Sequence, residues 1–159
     1  MNATQYPHAD TQRRTSPAIR EAGPADAEAL AGLATQLGYP STIEALVARL
    51  QQVRSDGAAA VFVAVDASGS VVGWTHVVRR TSLEDEPFAE LAGLIVADGA
   101  RGAGIGAGLL HAAEAWARGC GIAKLRVCSN VVRARAHGFY RREGYVERKR
   151  QVVFEKPLA

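Results

Sequence analysis

The sequence predicts a mixed α/β fold, with one central mixed sheet of about six or seven strands flanked by helices. Three observations carry this expectation. Strand-like alternation and helical periodicity follow one another in the order β-α-α-β-β-β-α-β-α-β-β. Only the centre of the chain, around a glycine-rich turn, reads as a parallel strand-helix-strand crossover. No internal repeat and no second apolar pattern divides the chain. A length of 159 residues is enough to bury one sizeable core.

The elements follow in order. Residues 1–16 are polar and without periodicity, which predicts a flexible N-terminal tail ahead of a single domain over 17–159. Residues 18–22 make a short strand that ends at Gly23-Pro24. Residues 25–37 place Leu30, Leu33, Ala34 and Leu37 at helical spacing, and Gly38 with Pro40 ends that helix. Ser41 followed by Glu44 reads as the capping box of a second helix, whose buried stripe is Ile43, Leu46, Val47 and Leu50. Residues 58–65 and 71–78 form a hairpin around Asp66-Ala67-Ser68-Gly69-Ser70, with Trp74 and His76 on one side. An acidic loop with Glu84, Asp85 and Glu86 leads to a strand over 88–96. After the glycine turn, residues 103–118 read as a helix buried through Leu109, Leu110, Ala113 and Trp116. A strand over 124–128, a helix over 131–142 stopped by Gly144, and two closing strands at 145–146 and 151–154 complete the pattern.

Composition bounds the function. A hydrophobic content of 48%, with 22% charged residues and a net charge of +3, is ordinary for a globular protein. The late basic cluster, from Arg133 to Arg150, is modest and suits a solvated helix face or an anionic cofactor, so no nucleic-acid partner is expected. Cys120 and Cys128 form no C-x-x-C pair and, with the scattered histidines, offer no metal-ligand spacing. No apolar signal core or long apolar run is present, so the expectation is a soluble cytoplasmic protein without a membrane partner.

The segment Ala89–Leu110 is the most informative. An apolar strand ends at Asp98, and Arg101-Gly102-Ala103-Gly104-Ile105-Gly106 opens the next helix. The first amides of a helix have no partner within it, and the helix dipole adds positive charge there. Glycines allow an anion to approach the main chain, so the turn reads as a phosphate or diphosphate cradle. A Walker loop is excluded because no Gly-Lys-Ser/Thr occurs. A dinucleotide fingerprint fits Gly102, Gly104 and Ala107, but the region Arg126–Asn130 has no acid to hold a ribose. R-x-x-G-x-G is satisfied by Arg101, Gly104 and Gly106. A glycine turn that holds no ligand is the remaining alternative.

The element order, the strand Leu94-Ile95-Val96, the Arg101–Gly106 loop, Asn130, and Phe139-Tyr140 with Gly144-Tyr145 together resemble the GNAT superfamily of N-acetyltransferases over roughly residues 17–156. The resemblance implies acetyl-CoA as co-substrate and a primary amine as acceptor, attacked directly in a ternary complex without a metal. Main-chain groups of Leu94, Ile95 and Val96 would bind the pantetheine arm. Arg101, Gly102, Ala103, Gly104, Ile105, Gly106 and Ala107 would hold the diphosphate, with Asn130 on the pantetheine and Arg133 on a phosphate.

Direct transfer needs a base for the amine and an acid for the departing thiolate. Glu90 is the candidate base, four residues before Leu94. In a regular strand it shares a face with Ala92, Leu94 and Val96, and a bulge at Gly93 would change that. Tyr140 is the candidate acid, since a phenol is protonated at neutral pH. Cys128 reads as a core residue of its strand. Tyr39, Trp74 and His76 are candidates for the acceptor site, and a small-molecule amine is preferred over a protein amine. A homodimer is compatible with the resemblance. A non-catalytic acyl-CoA-binding or sensing module on the same fold is the alternative reading, and a nucleotide-binding α/β domain is a third.

Overall fold

The computed structural model describes residues 17–36 and 38–158. The expected tail over 1–16 and the helix position Leu37 lie outside the described residues. The chain divides into two compact units, Met1–Val127 and Cys128–Ala159.

The first unit is a five-stranded sheet in the order β1-β2-β3-β4-β5. The strands are β1 (Ala18–Glu21), β2 (Ala59–Val65), β3 (Val71–Arg80), β4 (Phe88–Val96) and β5 (Leu125–Val127). Neighbours are antiparallel except β4 and β5, which run parallel through Ala89, Glu90 and Leu91. That one parallel pair is bridged by helix α3 (Ile105–Gly119), as the crossover predicts. Helices α1 (Ala27–Gln36) and α2 (Ile43–Asp56) lie between β1 and β2 in the chain.

Alternation along β2 explains the two-sided core. Val61 and Val63 join Leu30 of α1 and Leu50 of α2 on one face. Ala64, with Phe62 beside it, joins Ile105 and Leu109 of α3 on the other. Leu109 and Leu110 are fully buried, and truncating either to alanine would cost about 2–5 kcal/mol. Helix α3 approaches closely: a Cβ on Gly108 would stand 2.7 Å from Ile19 Cδ1.

Before α1, a single 3-10 turn at Pro24–Asp26 carries a buried carboxylate. Asp26 accepts both guanidinium nitrogens of Arg20 at 2.8 Å and the Gly23 N–H at 2.8 Å. Arg20 thereby holds the Asp26 carboxyl below the usual carboxylate range, against the opposing effect of burial.

Three local expectations need correction. Thr42, not Ser41, caps α2: its hydroxyl accepts the Ala45 N–H at 3.2 Å, and Ser41 instead accepts from Arg49. The helix over 103–118 starts later, at Ile105, because Gly104 has φ +77°, outside helical space. Cys128 is exposed and lies past the end of β5, so it is not a core residue.

The second unit contains helix α4 (Ala134–Arg142). It begins three residues later than the periodicity predicts because Asn130 forms a turn first, its Oδ1 accepting the Val132 N–H at 3.1 Å. At the other end Gly144 adopts φ +86°. Its N–H reaches Arg141 O and the Tyr145 N–H reaches Tyr140 O, a Schellman closure. The rings of Tyr140 and Tyr145 then lie 5.8 Å apart, with Phe139 at 5.1 Å from Tyr140. The expected closing strands at 145–146 and 151–154 are not strands. Val153 and Phe154 are 87% and 90% exposed. β-branched and aromatic residues state only that a segment suits a sheet, and a ladder needs a neighbour as well. The sheet therefore has five strands rather than six or seven among the described residues.

Candidate functional site

The bulge in β4 organises the first unit's site. His76 pairs with Gly93 and Val77 with Leu91, so Ala92 is the extra residue. An unpaired residue reverses the facing of everything on one side of it. Glu90 therefore shares a face with Gly93 and Ile95, not with Leu94 and Val96 as in a regular strand. That is the face of Trp74 and His76. The buried Thr75 hydroxyl donates to Gly93 O at 3.0 Å and holds the bulge in place.

Past the bulge, β4 runs on from Ala92 to Val96 with no β5 partner among the described residues. Leu94, Ile95 and Val96 pair only with Thr75, Trp74 and Gly73 of β3. The edge they present on the opposite side is the kind to which an extended arm with amide groups adds as a strand.

That edge leads directly into the glycine turn. A 3-10 turn at Asp98–Ala100 is followed by Gly102 at φ +85° and Gly104 at φ +77°. The Gly108 N–H is the first to reach back, to Gly104 O at 3.0 Å. The amides of Ile105, Gly106 and Ala107 precede the helical ladder. A Cβ added at Gly102 or Gly104 would meet nothing within 4 Å, and residues 101–104 are exposed. Among the described residues no side chain closes over those two positions. Arg101 is engaged: its Nε donates to Val96 O at 3.2 Å, and its guanidinium pairs with Asp98 at 2.7 Å. It ties the end of β4 to the turn.

A cavity of about 350 Å³ opens on the other side of the bulge, between β3, β4 and the first two helices. Tyr39, Trp74 and His76 all line it. Tyr39 is brought there by the end of α1, where the Gly38 and Tyr39 amides bond back to Thr35 O and Ala34 O. Trp74 Nε1 and His76 Nε2 are buried without a hydrogen-bond partner among the described residues. Burial pushes the His76 imidazole below its usual value; Arg80 adds to this and Glu90 opposes it. The ring is therefore neutral at pH 7. Sequence reasoning did not single out Arg49, Ala92 or Gly93, which also line the cavity. The Gly93 bulge was the only signal for the last two, and Arg49 gave none.

Glu90 is partly buried, and its Oε2 accepts Arg80 Nε at 2.5 Å. Asp85 pairs with Lys124 at 3.2 Å and with Arg126, which hold its carboxyl low, Arg126 foremost. Arg126 also sits 4.0 Å over the Phe88 ring. The acidic loop is thus tied to β5.

In the second unit Asn130 organises its own turn. Its main-chain carbonyl accepts the Arg133 N–H and faces His137 Nε2, both at 3.0 Å. Burial raises the Tyr140 phenol above its usual value, with Arg133 opposing. The phenol remains a proton donor across the neutral range.

A family model described as the Acetyltransferase (GNAT) family matches residues 28–145. The chain belongs to the GNAT acetyltransferase family. An aminoglycoside N(6')-acetyltransferase type 1 from Stenotrophomonas maltophilia is 36% identical over 148 residues, covering 91% of this chain and 95% of that protein. Among solved structures, aminoglycoside acetyltransferase AAC(6')-Iy in complex with a bisubstrate analogue superposes with a TM-score of 0.81 at 20% identity, over 91% of this chain and 100% of that one. AAC(6')-Ih from Acinetobacter baumannii gives 0.78 at 18% identity, over 89% and 99%. These structural likenesses are likenesses of fold.

As a GNAT acetyltransferase the protein is an N-acetyltransferase. It takes its acetyl group from acetyl-CoA and delivers it to a primary amine. The fold is the one the resemblance implied. No helix among the described residues is long and apolar enough to cross a membrane.

Proposed function

We propose that this GNAT acetyltransferase acetylates the primary amine of a small molecule by direct attack in a ternary complex. What carries the reading is the run of the unpartnered β4 edge, Leu94–Val96, into the open turn at Gly102–Gly104. In it, the amides of residues 102–107 hold the diphosphate and the β4 edge holds the pantetheine arm, with Asn130 and Arg133 as further contacts. Tyr39, Trp74 and His76 receive the acceptor. The amine nitrogen attacks the thioester carbonyl, forming C–N and breaking C–S. Glu90 takes the amine proton, directly or through water, and Tyr140 gives a proton to the departing thiolate. Residues 17–159 act as one catalytic domain in the cytoplasm. A small amine is the acceptor ahead of a protein amine, and a pairing of two copies is compatible with this reading.

Free thiol released from acetyl-CoA, measured against a panel of primary amines, tests the proposal. Acceptor-dependent release matched by acetylated product is expected. Acetyl-CoA binding without release for any amine would favour the sensing module.

A further inference from the structure

The acceptor cavity has a chemical character of its own. Its floor is apolar, built by Leu30, Leu50 and Val61 with the Trp74 ring, and among the described residues no carboxylate lines it. Among the described residues the one charged side chain in the lining is Arg49, exposed on α2 and hydrogen-bonded to Ser41 Oγ at 3.0 Å. His76, the one other titratable base there, is neutral. Glu90, the carboxylate on the same face of β4, is already matched with Arg80. A substrate carrying several ammonium groups needs counter-charges, and these walls offer a cation instead.

We infer that the cavity selects a primary monoamine joined to an apolar body, an aryl or alkyl group, and that Arg49 turns away acceptors with a second positive charge. This rests on the acetyl-transfer reading above and names its substrate class. An apolar body gains contact with Leu50, Val61 and Trp74 on leaving water. Its single amine gives its proton to Glu90 and requires no further carboxylate in the lining. A second ammonium would either meet Arg49 or be buried against an apolar floor without a partner, and both disfavour it. Discrimination thus comes from a repulsive element as well as an attractive one. The cavity's size, about 350 Å³, is within the usual range for small-ligand sites.

The test compares acceptors that differ by one charge. Hexylamine, 2-phenylethylamine, 1,6-diaminohexane and kanamycin are each offered to the full chain with acetyl-CoA, and thiol release gives kcat/KM. The two monoamines should exceed the diamine and kanamycin by roughly tenfold or more. Arg49→Glu should raise kcat/KM for the diamine by about the same factor relative to hexylamine. Preference of the wild type for the diamine or kanamycin would overturn the inference while leaving acetyl transfer intact. An unchanged ratio in R49E would also overturn it. Quenching of tryptophan fluorescence by hexylamine, stronger than by the diamine, reads cavity occupancy without turnover. Such quenching with no thiol release would uphold the cavity's selectivity and sink the transfer reading instead.

Discussion

The indole of Trp74 lies against Gly93 so closely that a Cβ on Gly93 would stand 2.7 Å from Cζ3 of the ring and 2.9 Å from Cη2. The bare backbone of the bulge is what lets the ring rest in the cavity lined by Tyr39 and His76. Gly93→Ala should therefore push the ring aside. The KM for the acceptor should rise by about tenfold, with acetyl-CoA affinity held within about twofold. Steady-state kinetics with varied acceptor, beside calorimetry with acetyl-CoA, checks the split.

Tyr140 is the group whose loss should separate chemistry from binding. Tyr140→Phe keeps the ring contacts with Phe139 and Tyr145 and removes only the hydroxyl. The kcat should fall by roughly a hundredfold or more, while acetyl-CoA binding is retained. The direction of its pKa adds a second readout. Because burial raises the phenol, its contribution is protonated and active through neutral pH, and the alkaline loss of kcat should lie above about pH 10. A wild-type alkaline limb unchanged in the variant would assign that limb to another group.

Asp26 offers a stability test remote from the chemistry. Its carboxyl is held low by Arg20, so the folded state binds its proton less readily than the unfolded state does. The stabilisation is fully present above the unfolded value of about 3.9 and is lost as pH falls through the lower folded value. Arg20 is half exposed, which limits the pair, so Asp26→Asn should cost on the order of 1–2 kcal/mol at pH 7. Urea unfolding from pH 7 down to 3 should show the difference between wild type and variant shrinking at the acid end. A constant difference would mean that the Asp26 charge does not matter.

Much of the first unit was legible because its elements state their own boundaries. Gly38 ended α1, the Asp66–Ser70 turn made the hairpin, and the glycine turn announced the helix dipole that follows it. Trp74 and His76 share a face because strand periodicity allows nothing else. What the sequence left open depended on long-range partners. Residues 151–154 carry strand-forming side chains, but nothing local says whether a neighbouring strand is present. Cys128 looked interior because apolar residues precede it, yet β5 ends one residue earlier. The facing of Glu90 turned on whether β4 is regular, and only pairing with β3 shows Ala92 to be the extra residue. Arg49 was unreadable as a site residue: an arginine on an amphipathic helix looks like any solvated one until the cavity beside it is known.

The central claim is that the turn at Gly104 grips the diphosphate of acetyl-CoA. Calorimetric titration of acetyl-CoA, NAD and ATP into the wild-type protein and into Gly104→Val tests it most directly. A Cβ at Gly104 touches no protein atom, and the position's φ of +77° strains any branched residue. The account predicts acetyl-CoA binding at least about tenfold tighter than NAD or ATP, and weakened by a similar factor in the variant. Tighter binding of NAD or ATP, or acetyl-CoA affinity untouched by the substitution, would contradict it.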